Sequence, residues 1–65
     1  MRTEQLEYFV VTADLKSINK AAEQLYVVQS TISTALKKLE DEIGGPLLIK
    51  SYQGVELTEL GQTVY

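Results

Sequence analysis

The sequence predicts a mainly α fold: three helices, a β-hairpin and the opening of a fourth helix. Three observations predict it. Apolar residues recur with helical spacing in three successive stretches. The second and third stretches are separated only by Tyr26, Val27 and Val28, and the third ends at Gly44, Gly45 and Pro46, after which two short apolar runs flank Ser51, Tyr52, Gln53 and Gly54.

The first helix is expected over 3–13. Leu6, Phe9, Val10 and Ala13 form its apolar stripe at i, i+3, i+4 and i+7, Thr3 is placed to cap it, and Glu4 suits the positive end of the helix dipole. The second is expected over 18–25, where Ile18, Ala21, Ala22 and Leu25 repeat the spacing and Ser17 stands at the cap position. Its adjacent alanines suit the close approach of another helix, although alanine is also the strongest helix former. The third is expected over 29–43, with Ile32, Leu36, Leu39 and Ile43 as its stripe and the two glycines as its stop.

Two helices joined so tightly are the signature of a helix-turn-helix. The runs at 47–50 and 55–57 suit a small hairpin with a four-residue loop at 51–54, which makes the arrangement winged. Thr58 is placed to cap the fourth helix. That helix has only about two turns of sequence before Tyr65, so it is expected to be the start of a longer one and the chain part of a longer protein.

Composition narrows the function classes. Sixty-five residues make one small domain, which buries roughly 60% of the surface its unfolded chain would expose. Cysteine and histidine are both absent from the sequence, which removes thiol chemistry, disulfide frameworks, the usual zinc sites and the commonest general base. No nucleotide-binding glycine motif is present, and the Ser, Thr and Tyr hydroxyls read as caps and surface donors, so neither an enzyme nor a bound cofactor is expected. The apolar runs are far too short to span a membrane, which leaves the cytoplasm as the expected location. The formal net charge of −3 and pI near 4.7 taken alone argue against nucleic acid.

The polar face of the third helix argues the other way. With Ile32 at zero and 100° per residue, Leu36, Leu39 and Ile43 fall within about 40° of it. Ser30, Thr34 and Lys37 lie opposite, flanked by Ser33 and Lys38. Asp41 shares that direction but sits about 10 Å farther along the axis than Thr34. The leading half of this face therefore offers short donors and acceptors, then positive charge, with no carboxylate. A helix entering a major groove needs that order, for base edges first and phosphates next. The alternative is a solvated face on which Lys37 pairs with Asp41 and Lys38 with Glu42. Lys50 likewise reads either as a wing contact to phosphate or as a charged edge-strand residue that discourages sheet pairing. None of the nine acids lies between Gln24 and Leu39 or between Ile43 and Val55, and the local field within a Debye length of about 8 Å outweighs total charge.

Nearly the whole chain also resembles the DNA-binding domain of LysR-type transcriptional regulators. The resemblance rests on LEYFV at 6–10, Ser17 with AAEQL at 21–25, VQSTIS, LKKLEDEIGGPLL, and GVELTELG at 54–61, in that order and spacing. It implies a winged helix-turn-helix DNA-binding domain over 1–57 and the start of a dimerising linker helix over 58–65. Double-stranded DNA is the implied partner, the whole protein being a homodimer or higher oligomer with a small-molecule effector on a further C-terminal domain. Base-edge and nearby phosphate contacts fall, by resemblance, on Gln29, Ser30, Ser33 and Thr34. Lys37, Lys38 and Lys50 reach the backbone, and Ser17 offers a phosphate its hydroxyl or the amides that follow it.

Three residues depart from the family pattern. Thr34 stands where arginine is usual, which removes the strongest bidentate guanine reader. Val28 takes the usual serine cap position, at a cost of up to about 1 kcal/mol unless Gln29 or Ser30 substitutes. Lys16 replaces a common turn glycine. A winged helix used only to bind protein is the competing expectation, distinguished by whether binding to DNA releases counterions.

Overall fold

The computed structural model describes residues 2–65. Its elements are α1 (Thr3–Leu15), α2 (Ile18–Leu25), α3 (Gln29–Ile43), β1 (Leu48–Ser51), β2 (Gly54–Leu57) and α4 (Glu59–Val64). The helices α2 and α3 have the bounds expected of them, and the three-helix core carries a two-stranded antiparallel wing. Phe9, Ile32, Leu39 and Leu47 are fully buried at its centre.

Helix α1 runs two residues past the expected Ala13 to Leu15 and departs from expectation in two further ways. Thr3 is its first helical residue and not its cap; the flanking residue is Arg2, whose N–H donates to Gln5 Oε1 at 3.1 Å. The glutamine reaching back supplies one half of a capping box. The buried face is Gln5, Tyr8, Phe9 and Thr12, whereas Leu6 and Val10 are only partly buried. The cause is packing from several directions: α1 meets α2, α3 and β2 together, so the most enclosed line is not the most apolar one.

The helix ends at Lys16, which has φ 56 and ψ 30. A left-handed conformation costs a non-glycine residue about 1–2 kcal/mol. The structure holds it there because the Lys16 carbonyl accepts a hydrogen bond from Val55 N–H at 3.2 Å. The wing is thereby tied to the turn between α1 and α2. Gly54, at φ 130, lies so close that a Cβ on it would stand 2.1 Å from the Lys16 carbonyl oxygen.

At the start of α2, Ser17 Oγ accepts from Lys20 N–H at 3.1 Å, as its cap position predicts. Ala21 and Ala22 are both buried in the core. Val28 provides no side-chain cap for α3; only its carbonyl helps, accepting from Thr31 N–H at 3.1 Å. The far end closes at Gly44, φ 103, whose N–H donates to the Glu40 carbonyl at 2.8 Å.

The wing is tighter than expected. Leu48 pairs with Leu57 and the ladder continues to Ser51 with Gly54, so Tyr52 and Gln53 alone form the turn. The positive φ at Gly54 lets the pairing run this far. Glu40 ties the wing to α3: its carboxylate accepts from Leu47 N–H at 2.8 Å and, more loosely, from Leu48 N–H at 3.4 Å. Thr58 caps α4 by accepting from Gly61 N–H at 2.9 Å and donates to the Pro46 carbonyl at 2.7 Å. Leu60 and Val64 then pack against the core, the Tyr65 ring meets Phe9 edge-on with centroids 6.4 Å apart, and the Tyr65 hydroxyl donates to Asp14.

Candidate functional site

Burial of Ile32, Ala35, Leu36 and Leu39 turns the opposite face of α3 to solvent. Gln29, Ser30, Ser33, Thr34, Lys37 and Lys38 are all exposed, as is Lys50 on the wing, while Ser17 is half-buried by its role as a cap. Six of these residues divide between two open grooves, and Gln29 and Ser17 line neither. Ser33 and Lys37 share one with Lys50, in the angle between α3 and the wing. Ser30, Thr34 and Lys38 line the other, which runs toward the N-terminus of α1 and includes Arg2, Glu4 and Glu42. The structure therefore brings the wing lysine to the same groove as Lys37, and sets Lys38 on the other flank.

The distribution of acids sharpens the electrostatics of this face. Glu40 is the first acid after the lysines, and its carboxylate is half-buried and accepts two backbone N–H groups. Asp41 remains exposed at the far end of the wing-side groove. The first turns of α3 thus present amide N–H groups at the positive end of the helix dipole together with hydroxyls, an arrangement suited to anionic or hydrogen-bonding partners.

Sequence reasoning missed two residues here. Glu40 has no role in the sequence reading, and nothing local announces its bond to the wing. Asn19 lies one position inside α2 and accepts a hydrogen bond from Gln29 Nε2. Its signal was available: a short amide near the start of α2, on the side where a tight turn brings the start of α3.

The frame itself, a tight pair of helices with a hairpin against the second, has known counterparts. The family model described as "Bacterial regulatory helix-turn-helix protein, lysR family" matches residues 3–62. The chain belongs to this family. Among relatives, the HTH-type transcriptional regulator BudR of Raoultella terrigena is 42% identical over 65 residues, an alignment that covers 100% of this chain and 22% of BudR. The nitrogen assimilation regulatory protein nac of Escherichia coli (strain K12) is 37% identical over the same length, covering 100% of this chain and 21% of nac. The chain thus spans about one fifth of the length of these curated relatives.

Solved structures agree on the fold. The crystal structure of the BenM_DBD/catB site 1 DNA complex superposes with a TM-score of 0.93 at 34% identity, covering 100% of this chain and 73% of that one. The CbnR_DBD-DNA complex gives 0.91 at 36% identity, covering 97% and 72%. The lysR family is a class of regulators and not of enzymes. Among the described residues, no helix is long and apolar enough to cross a membrane, and no group of three or more acidic side chains is placed to hold a metal ion.

Proposed function

We propose that this chain is the DNA-reading domain of a lysR-family transcriptional regulator, binding double-stranded DNA in a sequence-specific manner. Helix α3 enters the major groove and the wing lies against the backbone. The observation that carries the reading is the exposed, acid-free leading face of α3, continuous through Ser33 and Lys37 with the groove shared by Lys50. Gln29, Ser30, Ser33 and Thr34 meet base edges and nearby phosphates; Lys37, Lys38 and Lys50 meet the backbone; Ser17 and the amides it caps meet a further phosphate. Relatives of this fold at 34–36% identity, seen in complex with DNA, support the same reading. The whole protein then acts in the cytoplasm as a homodimer or higher oligomer and recognises its effector outside residues 1–65, with residues 58–65 belonging to the dimerising helix.

With three lysines on the contact face, affinity is modest and strongly dependent on salt. Each neutralised phosphate contributes a slope of about −0.9 to log K against log salt, so the domain should show a slope of about −2 to −3. Fluorescence anisotropy with labelled duplex across a salt series measures it. Absence of binding at low salt, or binding without a counterion-release slope, would overturn the reading and favour a winged helix that contacts protein.

A further inference from the structure

Asn19 and Gln29 are ten positions apart, the one near the start of α2 and the other the first residue of α3. The tight turn sets these helix starts side by side, and Gln29 Nε2 donates to Asn19 Oδ1. Both residues are exposed, so core packing does not force the contact. It has a chemical consequence for Gln29. A glutamine amide carries two N–H donors and one carbonyl acceptor. With the N–H trans to its carbonyl oxygen committed to Asn19, the cis N–H and the carbonyl would remain as an adjacent donor and acceptor in a set orientation.

That remaining pair is complementary to the major-groove edge of adenine, which presents N7 as acceptor and N6–H as donor. An unrestrained glutamine can point its amide either way and must be ordered on binding, at an entropic cost that the Asn19 contact removes in advance. Asn19 keeps its own Nδ2 group, at the helix start whose amides Ser17 caps and where a phosphate is favoured. We propose that Asn19 is a positioning residue for base recognition: its Oδ1 holds the Gln29 amide in the orientation that reads adenine, while its Nδ2 donates to a flanking phosphate. This inference rests on the DNA-binding reading above.

The experiment selects a preferred duplex from a random pool with the 65-residue chain. It then measures affinity for the four duplexes that differ at the position where Gln29→Ala changes base preference. The unsubstituted chain should favour A·T there by about 5- to 150-fold, the discrimination one bidentate pair supplies. Asn19→Leu, checked for an unchanged thermal melt, should bring the four duplexes most of the way to parity and, having lost the Nδ2–phosphate bond, should weaken random duplex by about 2- to 10-fold whatever its sequence. Asn19→Asp keeps the acceptor but replaces the donor with a negative charge; it should retain the A·T preference and weaken every duplex. In the Gln29→Ala background, Asn19→Leu should not alter base preference further.

The proposal is overturned if Asn19→Leu preserves the preference, if Asn19→Asp abolishes it, or if Gln29→Ala leaves every position unchanged. Failure of the unsubstituted chain to bind any duplex overturns the DNA-binding reading itself, a result distinct from these three.

Discussion

The close approach of Gly54 to the α1–α2 turn permits a sharp test of what holds the wing in place. Gly44 and Gly54 both have positive φ, 103 and 130, but a Cβ on Gly44 would meet nothing within 4 Å whereas one on Gly54 would stand 2.1 Å from the Lys16 carbonyl oxygen. Gly44→Ala therefore carries only backbone strain, about 1–2 kcal/mol. Gly54→Ala carries similar strain and also drives β2 off the turn. It breaks the Val55 N–H to Lys16 hydrogen bond and begins to expose the buried Val55 side chain. Together these cost about 2–5 kcal/mol. Against a total stability of roughly 3–10 kcal/mol for a 65-residue domain, the first variant should remain folded and the second should unfold at a clearly lower urea concentration than the first. Urea denaturation followed by circular dichroism, with both variants compared at equal m-value, reads the difference. Equal destabilisation by the two substitutions would show that the Lys16 contact contributes nothing and that conformational strain is the whole effect.

Four further outcomes are expected. Lys37→Ala should weaken selected and random duplex about equally and flatten the salt slope by about 1, whereas Ser33→Ala and Thr34→Ala should weaken the selected duplex more; filter binding that found equal losses for the hydroxyl variants would remove them from the reading set. Glu40→Ala, which deprives Leu47 and Leu48 N–H of their acceptor, should lower stability by about 1.5 kcal/mol, and an unchanged urea midpoint would refute the brace. The hydrogen bond from the Tyr65 hydroxyl to Asp14 raises the phenol above its ordinary value of 10.0, with desolvation and the charge of Asp14 adding to it; the docked neutral form is favoured below pH 10 and is lost as pH rises through the raised value. Ultraviolet titration should place Tyr65 ionisation lower in Asp14→Ala, and coincident curves would contradict the contact. Because Leu60 and Val64 pack on the chain's own core and two helical turns are too few for a stable pair in water, sedimentation equilibrium should find residues 1–65 monomeric; a tight dimer would point to a different interface.

Much of this molecule follows from order along the chain. Ser17, Ile18 and the two alanines define α2, and the glycines after Ile43 define the end of α3, because caps and helical spacing are local properties of a few neighbouring residues. The polar leading face of α3 was legible for the same reason: once Ile32, Leu36 and Leu39 are buried, helical geometry alone turns Ser30, Ser33, Thr34 and Lys37 outward. Other features depend on groups that meet only after folding. The line of α1 that becomes most enclosed was settled by three neighbours packing on it at once, which places Gln5 and Thr12 inside ahead of Leu6 and Val10. The left-handed Lys16, the approach of Gly54 to it, the turn of Glu40 toward the wing and the bond from Gln29 to Asn19 each join segments from 7 to 39 residues apart. Backbone periodicity says which side of an element a residue occupies, but which hydrogen-bond partner waits there is decided by the positions of other elements in space, and these exist only in the tertiary structure.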